Sequence, residues 1–394
     1  MAKFLVLGCG MIGSLIAREL ATCAEAGEGG PVGAGHLVTV ADARSENLRR
    51  MLDRVPAAAD RVRCVEGDLS SPGLVTRLAL DADVVVGAMP SRLGLQTLRA
   101  VIDARRTYCD ISFMPEDPSE LSEMARSAGV TVIVDCGVAP GMSNLLAAHA
   151  AAQLDTLHSV SIFVGGLPRE RRLPFEYKAA FSPYDVLEEY TRVARVVEHG
   201  RIVQKEALSE PEYLEFPGVG TLEAFNTDGL RSLMQSLKAP FMKEKTLRYP
   251  GHAQLMRAFR DIGLFSEEEV RLGERRIRPR ELTAALLFPK WTYEPGEEDL
   301  TVMRVSVEGT KFNQVHTLSW DLTDFYDHAT QSTSMARTTG YTCTTVARLL
   351  ASGRFSLPGV HAPEALASIP GLVEDVLTQL EQRGVRYALR EVWN

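Results

Sequence analysis

The chain has 394 residues, of which 45% are hydrophobic and 24% are charged, and its net charge at pH 7 is −8. This composition is that of an ordinary globular protein with two or three domains, and the acidic balance argues against nucleic acid as a partner. No apolar run is long enough to cross a bilayer, and the first predicted strand follows Met1 too closely for a signal peptide. We therefore expect a cytoplasmic protein with no membrane partner.

In the first third of the chain, short apolar runs alternate with helical patterns. Strands are predicted at residues 3–7, 37–40, 61–65, 84–87, 107–111 and 130–134, helices at 12–24, 93–105 and 120–128, and a glycine-rich loop at 25–35. Because the strand-like runs are rich in β-branched residues and lack polar alternation, they are typical of strands buried on both faces of a parallel sheet. The predicted fold class is therefore α/β, with a doubly wound parallel Rossmann sheet that forms a dinucleotide-binding domain over residues 1–140.

The first predicted strand runs into the motif Gly8-x-Gly10-x-x-Gly13, and a helical pattern follows it. In this context the first glycine permits the tight turn, the second lets a pyrophosphate approach the backbone, and the third lets the helix pack on the strand. The phosphates then accept hydrogen bonds from N–H groups at the helix start, which makes Met11 and Ile12 candidate cofactor contacts. The glycine motif alone, without this strand and helix context, is also consistent with a chance glycine cluster in a turn.

Two carboxylates predict the adenosine end of the cofactor site. Asp42 follows the second strand, where a carboxylate accepts hydrogen bonds from ribose hydroxyls and repels a 2′-phosphate, so NAD is favoured over NADP. Arg44 keeps NADP open because an arginine binds such a phosphate, and Asp42 is alternatively a helix N-cap. Asp68 and Leu69 follow the third strand, where a short loop meets the adenine, although Asp68 is alternatively a plain turn residue.

The carboxyl ends of the later strands predict the nicotinamide end, because ligands of open α/β sheets bind beyond these ends. The residues there are Pro90, Ser91, Asp110, Ser112, Asp135 and the loop 138–141, which includes Ala139 and Pro140. Asp110 is a candidate base or orienting group, and equally a cap of the segment that follows it.

A different pattern of predicted elements begins at residue 141 and continues to 334. A helix is predicted from 137–141 through 154, a strand at 159–164, and a hairpin of 301–308 and 312–322 that turns at Glu308-Gly309-Thr310. Helices at 250–259, 335–350 and 372–382 and a strand at 385–392 complete the list. We predict an α+β domain on a mixed or antiparallel sheet for 141–334, and the C-terminal segment 335–394 can rejoin the first domain.

Two polar clusters in the second part of the chain, 242–252 and 335–341, mix cations, hydroxyls and a glycine beside a helix start. Such a mixture suits a small zwitterion whose carboxylate pairs with an arginine fork, and a solvated loop is the alternative for each. Glu188, Glu189 and Tyr190 are interpreted as an exposed helix face, with a site for a substrate amine as the alternative. The histidines show no metal-binding spacing, so no metal is expected.

The six cysteines show no C-x-x-C spacing. Cys9, Cys64, Cys109 and Cys136 lie on or beside predicted buried strands. We interpret them as reduced core residues, with a catalytic thiol as the alternative.

These segments together resemble the saccharopine dehydrogenase-like family, and most closely its lysine 6-dehydrogenase branch. The specific stretches are Gly-Val-Ala-Pro-Gly-Met-Ser-Asn at 137–144, Phe-Asn-Thr-Asp-Gly-Leu at 225–230 and Lys-Thr-Leu-Arg-Tyr-Pro-Gly-His at 245–252, beside the less specific 8–13 and 335–340. The main departure from the family pattern is the insertion at 25–35. The resemblance implies a two-domain subunit, a homodimer or higher homo-oligomer through the second-domain sheet, and NAD(P)-linked oxidation of an amine.

The resemblance further implies that L-lysine loses hydride from the carbon bearing its side-chain amine, that the imine adds water, and that ammonia and a cyclising semialdehyde result. Asp110 and His252 are the candidate bases for imine hydrolysis. The candidate substrate residues are Arg248 and Arg337, which would clamp the carboxylate, together with Thr338 and Tyr177.

Two rival functions stay open. One is a reductase of the same family that joins an amine to a semialdehyde, as in saccharopine or carboxynorspermidine formation, whose larger anionic substrates need more cations. The other is a regulator that senses NAD(P) without turnover, against which the two polar clusters argue.

Overall fold

A computed structural model describes residues 1–23, 35–294 and 296–393. Apart from Gly35, the predicted loop 25–35 lies outside the described residues. The chain forms two compact units: unit 1 comprises Met1–Leu145 and Ala336–Gly384, and unit 2 comprises Leu146–Met335 and Val385–Asn394. The predicted C-terminal segment is thus divided between the two units.

The strands, in chain order, are β1 (Lys3–Leu7), β2 (Leu37–Asp42), β3 (Val62–Glu66), β4 (Val84–Gly87), β5 (Thr107–Asp110), β6 (Thr131–Ile133), β7 (Thr156–Pro168), β8 (Ala194–Glu198), β9 (Arg201–Lys205), β10 (Glu212–Phe216), β11 (Gly220–Asn226), β12 (Phe241–Arg248), β13 (Val270–Leu272), β14 (Arg275–Ile277), β15 (Asp299–Lys311), β16 (Gln314–Phe325), β17 (Gly359–His361) and β18 (Tyr387–Trp393).

The α-helices are α1 (Met11–Thr22), α2 (Ser45–Leu52), α3 (Pro72–Ala79), α4 (Gly94–Asp103), α5 (Ser122–Ala128), α6 (Met142–Ala151), α7 (Pro183–Thr191), α8 (Leu233–Ser236), α9 (His252–Asp261), α10 (Pro279–Trp291), α11 (Ser334–Ala351) and α12 (Leu372–Gln382). Among the described residues, no helix combines the length and the apolar character that crossing a membrane requires.

The sheet of unit 1 is doubly wound and parallel, as predicted. Its seven strands follow the order β17-β6-β5-β4-β1-β2-β3, and every pairing is parallel. The chain winds outward from β1 in both directions, so the carboxyl ends of β1 and β4 flank the point where the strand order reverses, which is where ligands of such sheets bind. Strand β17 is contributed by the C-terminal segment and was not predicted, because three residues carry too little pattern.

Buried apolar side chains explain why these runs form strands. All four residues of β4 are buried, and Leu5, Leu7 and Val85 share one core cluster with the helices that cover one face of the sheet. Helices α2 and α3 were not predicted, because each has only eight residues and a polar outer face.

Unit 2 is built on a mixed nine-stranded sheet, which confirms the predicted α+β class. Its main path is β10-β11-β12-β7-β15-β16-β18, with β8 paired to β12 and β9 paired to β8. Within the described part of this sheet, the β12–β7 pairing is parallel and the other pairings are antiparallel. An aromatic cluster that includes Tyr177, Tyr190, Phe225 and Trp291 packs helices α7, α9 and α10 together.

The predicted hairpin exists, but its predicted turn was wrong. Strands β15 and β16 are joined at Phe312 and Asn313, whose φ angles are +50° and +65°. Gly309 instead lies inside β15, at an irregularity in its pairing with β7, where a Cβ would lie 2.2 Å from the carbonyl oxygen of Thr156. A glycine within a strand pattern indicates a bulge or a close approach as often as it indicates a turn.

Candidate functional site

The glycine turn between β1 and α1 leaves space beside its middle glycine. Gly8 has a φ angle of +95°, and a Cβ there would lie 2.4 Å from the carbonyl oxygen of Ala88. A Cβ on Gly13 would lie 2.0 Å from the carbonyl oxygen of Gly8, whereas one on Gly10 would meet nothing within 4 Å. The turn itself therefore requires Gly8 and Gly13, while the open side of Gly10 lets a ligand approach the backbone.

The start of α1 adds hydrogen-bond donors to this space. The helix begins at Met11 directly after Gly10, which provides no side-chain cap. The first N–H groups of a helix have no intrahelical acceptor and lie at the positive end of its dipole, so Met11, Ile12 and Gly13 offer donors to an anion. The residues present therefore fit the diphosphate of a dinucleotide.

Asp42, the last residue of β2, is bonded to the same turn. Its Oδ2 accepts a hydrogen bond from the backbone N–H of Cys9 at 2.7 Å. Its Oδ1 accepts one from the N–H of Arg44 at 2.8 Å and one from Nδ2 of Asn47 at 3.2 Å. A carboxylate offers about four acceptor sites, so a ribose hydroxyl can still donate to Asp42.

The other residues predicted at the adenosine end differ in their exposure. Arg44 is exposed and precedes α2, while Leu69 is buried in the core of unit 1. Asp68 is exposed, and its Oδ1 accepts hydrogen bonds from the N–H of Ser70 at 2.9 Å and from its hydroxyl at 2.7 Å. These bonds lower the pKa of Asp68 and match the alternative interpretation of a turn residue.

The residues predicted at the nicotinamide end follow β4, β5 and β6. Pro90 is exposed, and Ser91, Ala139 and Pro140 are half-buried. Ser112 is buried, and its hydroxyl donates a hydrogen bond to Asp110.

Asp110, the last residue of β5, is fully buried. Its Oδ1 accepts hydrogen bonds from the hydroxyls of Ser112 at 2.8 Å and Tyr108 at 3.1 Å, whereas its Oδ2 has no hydrogen-bond partner among the described residues. Burial raises the pKa of Asp110 to about 7, the bonds from Ser112 and Tyr108 oppose this rise, and the neighbouring Asp135 adds to it. A carboxyl group that titrates near neutral pH is suited to exchanging protons.

In unit 2, Arg248 lies at the end of β12 with its guanidinium buried. Its Nη2 lies 3.0 Å from Oε2 of Glu189 and 3.4 Å from the hydroxyl of Tyr177. Its Nε donates to the hydroxyl of Tyr190 at 3.3 Å, and its Nη1 donates to the carbonyl of Leu247 at 2.9 Å. The guanidinium also lies 4.5 Å from the centroid of the Tyr177 ring, so these partners compensate for the burial of its charge.

His252, the first residue of α9, is buried beside Arg248. Its Nδ1 lies 3.2 Å from the carbonyl oxygen of Phe175, and its Nε2 lies 2.8 Å from the hydroxyl of Tyr190. Because a carbonyl only accepts, Nδ1 carries the proton and Nε2 accepts from Tyr190. Burial, together with the charge of Arg248, lowers the pKa of His252 to about 3, so this neutral imidazole orients Tyr190 and does not support the predicted role as a base.

The predicted exposed face of Glu188, Glu189 and Tyr190 was wrong for Tyr190, which is fully buried in α7. Glu189 is half-buried and faces Arg248, while Glu188 pairs with Arg280 at the surface. Arg248, Glu189, Tyr177, Tyr190 and His252 thus form one group, which we call the arginine cluster.

Glu244 is a second buried carboxyl group of unit 2. It lies on β12, and its Oε2 accepts a hydrogen bond from the hydroxyl of Thr227 at 2.7 Å. The Thr227 hydroxyl also lies 2.8 Å from the hydroxyl of Thr246. Burial raises the pKa of Glu244 to about 8, the bond from Thr227 opposes the rise, and the negative charge of Glu189 adds to it.

Two predicted substrate residues belong to unit 1. Arg337 and Thr338 lie on α11, and both are buried. Nη2 of Arg337 donates to the carbonyl of Arg383 at 3.3 Å, and its guanidinium lies 5.7 Å from the centroid of the Tyr341 ring. The structure therefore brings Arg248, His252 and Tyr177 together in one cluster of unit 2, whereas Arg337 and Thr338 belong to unit 1.

Sequence reasoning did not select Tyr190, Glu244 or Thr227 for the site. The signal for Glu244 was the period-two alternation of 243–248, which places Glu244, Thr246 and Arg248 on one face of a strand. Thr227 lies within the stretch 225–230, where its neighbours carry the family resemblance.

The cysteines show no reactive environment. Cys9, Cys109, Cys136 and Cys343 are buried and free, and Sγ of Cys109 lies 3.6 Å from Sγ of Cys343. Burial raises the pKa of Cys9 to about 12, and it also raises the pKa values of Cys109 and Cys136, which disfavours a nucleophilic thiolate at each. Within 1–23, 35–294 and 296–393, no three His, Cys, Asp or Glu side chains form a metal-binding group.

Comparisons with known proteins match two family models, one after the other along the chain. Residues 4–133 match the family model of the saccharopine dehydrogenase NADP-binding domain, and residues 137–385 match that of the saccharopine dehydrogenase C-terminal domain. The chain is 28% identical over 202 residues to the mitochondrial alpha-aminoadipic semialdehyde synthase of Mus musculus, an alignment that covers 47% of this chain and 22% of that protein.

The chain is also 26% identical over 254 residues to the saccharopine dehydrogenase [NADP(+), L-glutamate-forming] of Pyricularia oryzae, which covers 59% of this chain and 56% of that protein. It thus spans about half of this relative and about a fifth of the mouse protein. The solved structure of apo saccharopine dehydrogenase (L-Glu forming) from Saccharomyces cerevisiae aligns over 100% of both chains, with a TM-score of 0.78 and 19% identity. This last similarity concerns the fold.

Proposed function

Because the chain belongs to the saccharopine dehydrogenase family, we propose that it is a pyridine-nucleotide-dependent dehydrogenase that oxidatively deaminates the side-chain amine of L-lysine. L-lysine loses a hydride from the carbon that bears this amine, and water adds to the resulting imine. Ammonia then leaves, and the product is the 6-semialdehyde, which cyclises. The bound pyridine nucleotide supplies the hydride acceptor, and Gly8, Gly10, Met11, Ile12 and Gly13 would hold its diphosphate.

The observation that carries the choice of substrate is the charge of the arginine cluster. Arg248 is a single buried cation that faces Glu189, and Glu244 lies close enough for the charge of Glu189 to raise its pKa. One buried cation matches the single carboxylate of L-lysine better than it matches a substrate with several carboxylates. In this arrangement Arg248 binds the carboxylate and Glu189 binds the α-ammonium group.

The names of the relatives favour a second candidate, the oxidation or formation of saccharopine. Saccharopine carries three carboxylates, whereas Arg248 is the one cation of the arginine cluster as it is defined above. An absorbance assay of nicotinamide reduction with L-lysine, L-ornithine and saccharopine separates the two candidates. We expect reduction with L-lysine and little with saccharopine, and the opposite order would favour the second candidate.

For the proton transfers we propose Asp110. Its unpartnered Oδ2 and its pKa near 7 suit a group that accepts a proton and returns it within one turnover. Ser112 and Tyr108 hold its other oxygen and thereby fix its orientation.

For the cofactor we propose NAD, although the family model is named for NADP. The carboxylate of Asp42 is fixed beside the glycine turn by Cys9 and Arg44, where it accepts ribose hydroxyls and repels a 2′-phosphate. We expect Asp42→Asn to lower the ratio of kcat/KM for NAD to kcat/KM for NADP about tenfold, because a repulsion of roughly 1 kcal/mol or more is lost.

The matched control for this change is Asp68→Asn, an exposed turn residue, which should leave the ratio unchanged. Steady-state kinetics with both cofactors measure the ratios. A wild-type protein that prefers NADP, or an unchanged ratio in Asp42→Asn, would show that Asp42 does not select the cofactor.

We expect Arg248→Lys to raise KM for L-lysine about ten- to a hundredfold, because lysine keeps the charge that Glu189 requires but loses the planar fork that binds a carboxylate. Binding of the nucleotide, measured by calorimetry, should stay within about twofold of wild type, since Arg248 lies outside the glycine turn. Arg304→Lys is the control, because Arg304 also pairs bidentately with a carboxylate, that of Asp321, and lies over an aromatic ring. Equal KM values in both variants would remove Arg248 from the substrate site.

A further inference from the structure

Two buried hydrogen-bond donors lie beside the arginine cluster. Trp291 is fully buried, and its Nε1 has no hydrogen-bond partner among the described residues. The hydroxyl of Tyr293 is buried and, within the same residues, also lacks a partner. Buried indole and phenol groups nearly always have partners, because leaving such a donor unpaired is costly. A bound ligand would therefore provide the acceptor that both groups lack among the described residues.

Both side chains are neighbours of Tyr177, whose ring the guanidinium of Arg248 contacts. The ring centroids of Trp291 and Tyr177 lie 5.3 Å apart with their planes at 86°, and the Arg248 guanidinium lies 4.5 Å from the centroid of the same Tyr177 ring. Tyr293 lies close enough to Tyr177 and Arg248 for their charges to act on its pKa. Both donors thus share Tyr177 as a neighbour with the group that we propose binds the substrate carboxylate.

The chemistry of these groups selects the ligand. An indole N–H and a guanidinium only donate hydrogen bonds. Burial raises the pKa of Tyr293 well above its usual value, and the charge of Asp299 raises it further, so its hydroxyl stays protonated and donates. By contrast, the hydroxyl of Tyr249 is already bonded to the carbonyl of Pro168 at 2.9 Å. A ligand group that meets several donors is most favourably an acceptor with several lone pairs, such as a carboxylate.

We propose that Trp291 and Tyr293 donate hydrogen bonds to the carboxylate of the amino-acid substrate. They thus belong to the same carboxylate-binding subsite as Arg248. This inference rests on the proposed function, because it names the groups of unit 2 that hold that substrate. It assigns specificity for amino acids over simple diamines to two residues that no motif of the sequence marked.

Conservative substitutions test the subsite. Trp291→Phe removes the N–H and keeps an aromatic ring, and Tyr293→Phe removes only a hydroxyl. We expect each to raise KM for L-lysine about ten- to a hundredfold, as the loss of a hydrogen bond to a charged group does, with a smaller change in kcat. The controls Trp393→Phe and Tyr213→Phe alter side chains that are 46% and 63% exposed, and they should leave KM unchanged.

The second arm uses 1,5-diaminopentane, which has the reacting amine but no carboxylate. We expect its KM to be the same in wild type and in both variants. An unchanged KM for L-lysine, or an equal rise for both substrates, would overturn the subsite. If Trp291→Phe does not fold, Tyr293→Phe alone decides.

A wrong proposal for the activity can be distinguished from a wrong proposal for the subsite. If the wild-type protein turns over no L-lysine, the proposed activity is overturned, and calorimetric titration of the same proteins with L-lysine then decides the subsite. Weaker binding by both variants supports it, and binding equal to that of wild type overturns it.

Discussion

Gly10→Val is expected to abolish pyridine-nucleotide binding while the fold stays intact. A Cβ at this position meets nothing within 4 Å, and the φ and ψ angles of −75° and −158° are extended, so a side chain here does not require a left-handed backbone. The added side chain therefore fills the space that a diphosphate would occupy, without a clash inside the protein. Isothermal calorimetry should show an affinity loss of at least about a hundredfold for NAD, since direct phosphate contacts to the backbone are blocked.

Gly73→Val is the matched control for this experiment. Gly73 is also a glycine near the start of a helix, and a Cβ there likewise meets nothing within 4 Å. We expect its affinity for NAD and its melting temperature to equal those of wild type. Unchanged affinity in Gly10→Val would show that no diphosphate lies against this turn.

Asp110→Asn is expected to lower kcat by about 10²- to 10⁴-fold, the usual contribution of a general acid–base group. Asparagine has nearly the same shape and still accepts the hydrogen bonds from Ser112 and Tyr108, but it cannot take up a proton. Stopped-flow and steady-state rates of nicotinamide reduction measure this loss. A kcat within about twofold of wild type would exclude Asp110 from the proton transfers.

The protonation of Asp110 determines how kcat/KM should change with pH. Burial raises the pKa of Asp110 to about 7, so the group is neutral below this pH and becomes able to accept a proton above it. We therefore expect kcat/KM to rise with pH through about 7 in the wild type, and this limb to be missing in Asp110→Asn. Ser112→Ala removes a hydrogen bond that stabilises the carboxylate of Asp110. The rise of kcat/KM with pH should therefore occur at higher pH in this variant than in the wild type. Tyr108, Cys136 and Asp135 also lie near Asp110, and Asp135 favours the same upward direction of its pKa.

Much of unit 1 could be predicted because its signals are local. Strands β1 and β4 and helix α12 have the predicted bounds, since each is an apolar run or stripe with clear ends. Asp42 could be placed at the glycine turn because parallel strands bring their carboxyl ends to one edge.

Unit 2 was harder to predict because its strands carry many charges. Strand β12 contains Glu244, Lys245 and Arg248, all of which are buried, and no hydropathy pattern indicates that charges will be paired inside a protein. For the same reason the face of α7 that bears Tyr190 was predicted to be exposed. The contacts of Arg248 with Glu189 and Tyr177 join residues 59 and 71 positions apart, which only the tertiary fold determines.

The most direct test of the account couples two readings from one reaction of the purified protein with L-lysine and NAD. Nicotinamide reduction is followed by absorbance, and free ammonia is determined in the same sample. We predict that ammonia and reduced cofactor appear in equal amounts. Reduction with saccharopine but none with L-lysine, or reduction with L-lysine that releases no ammonia, would contradict the account.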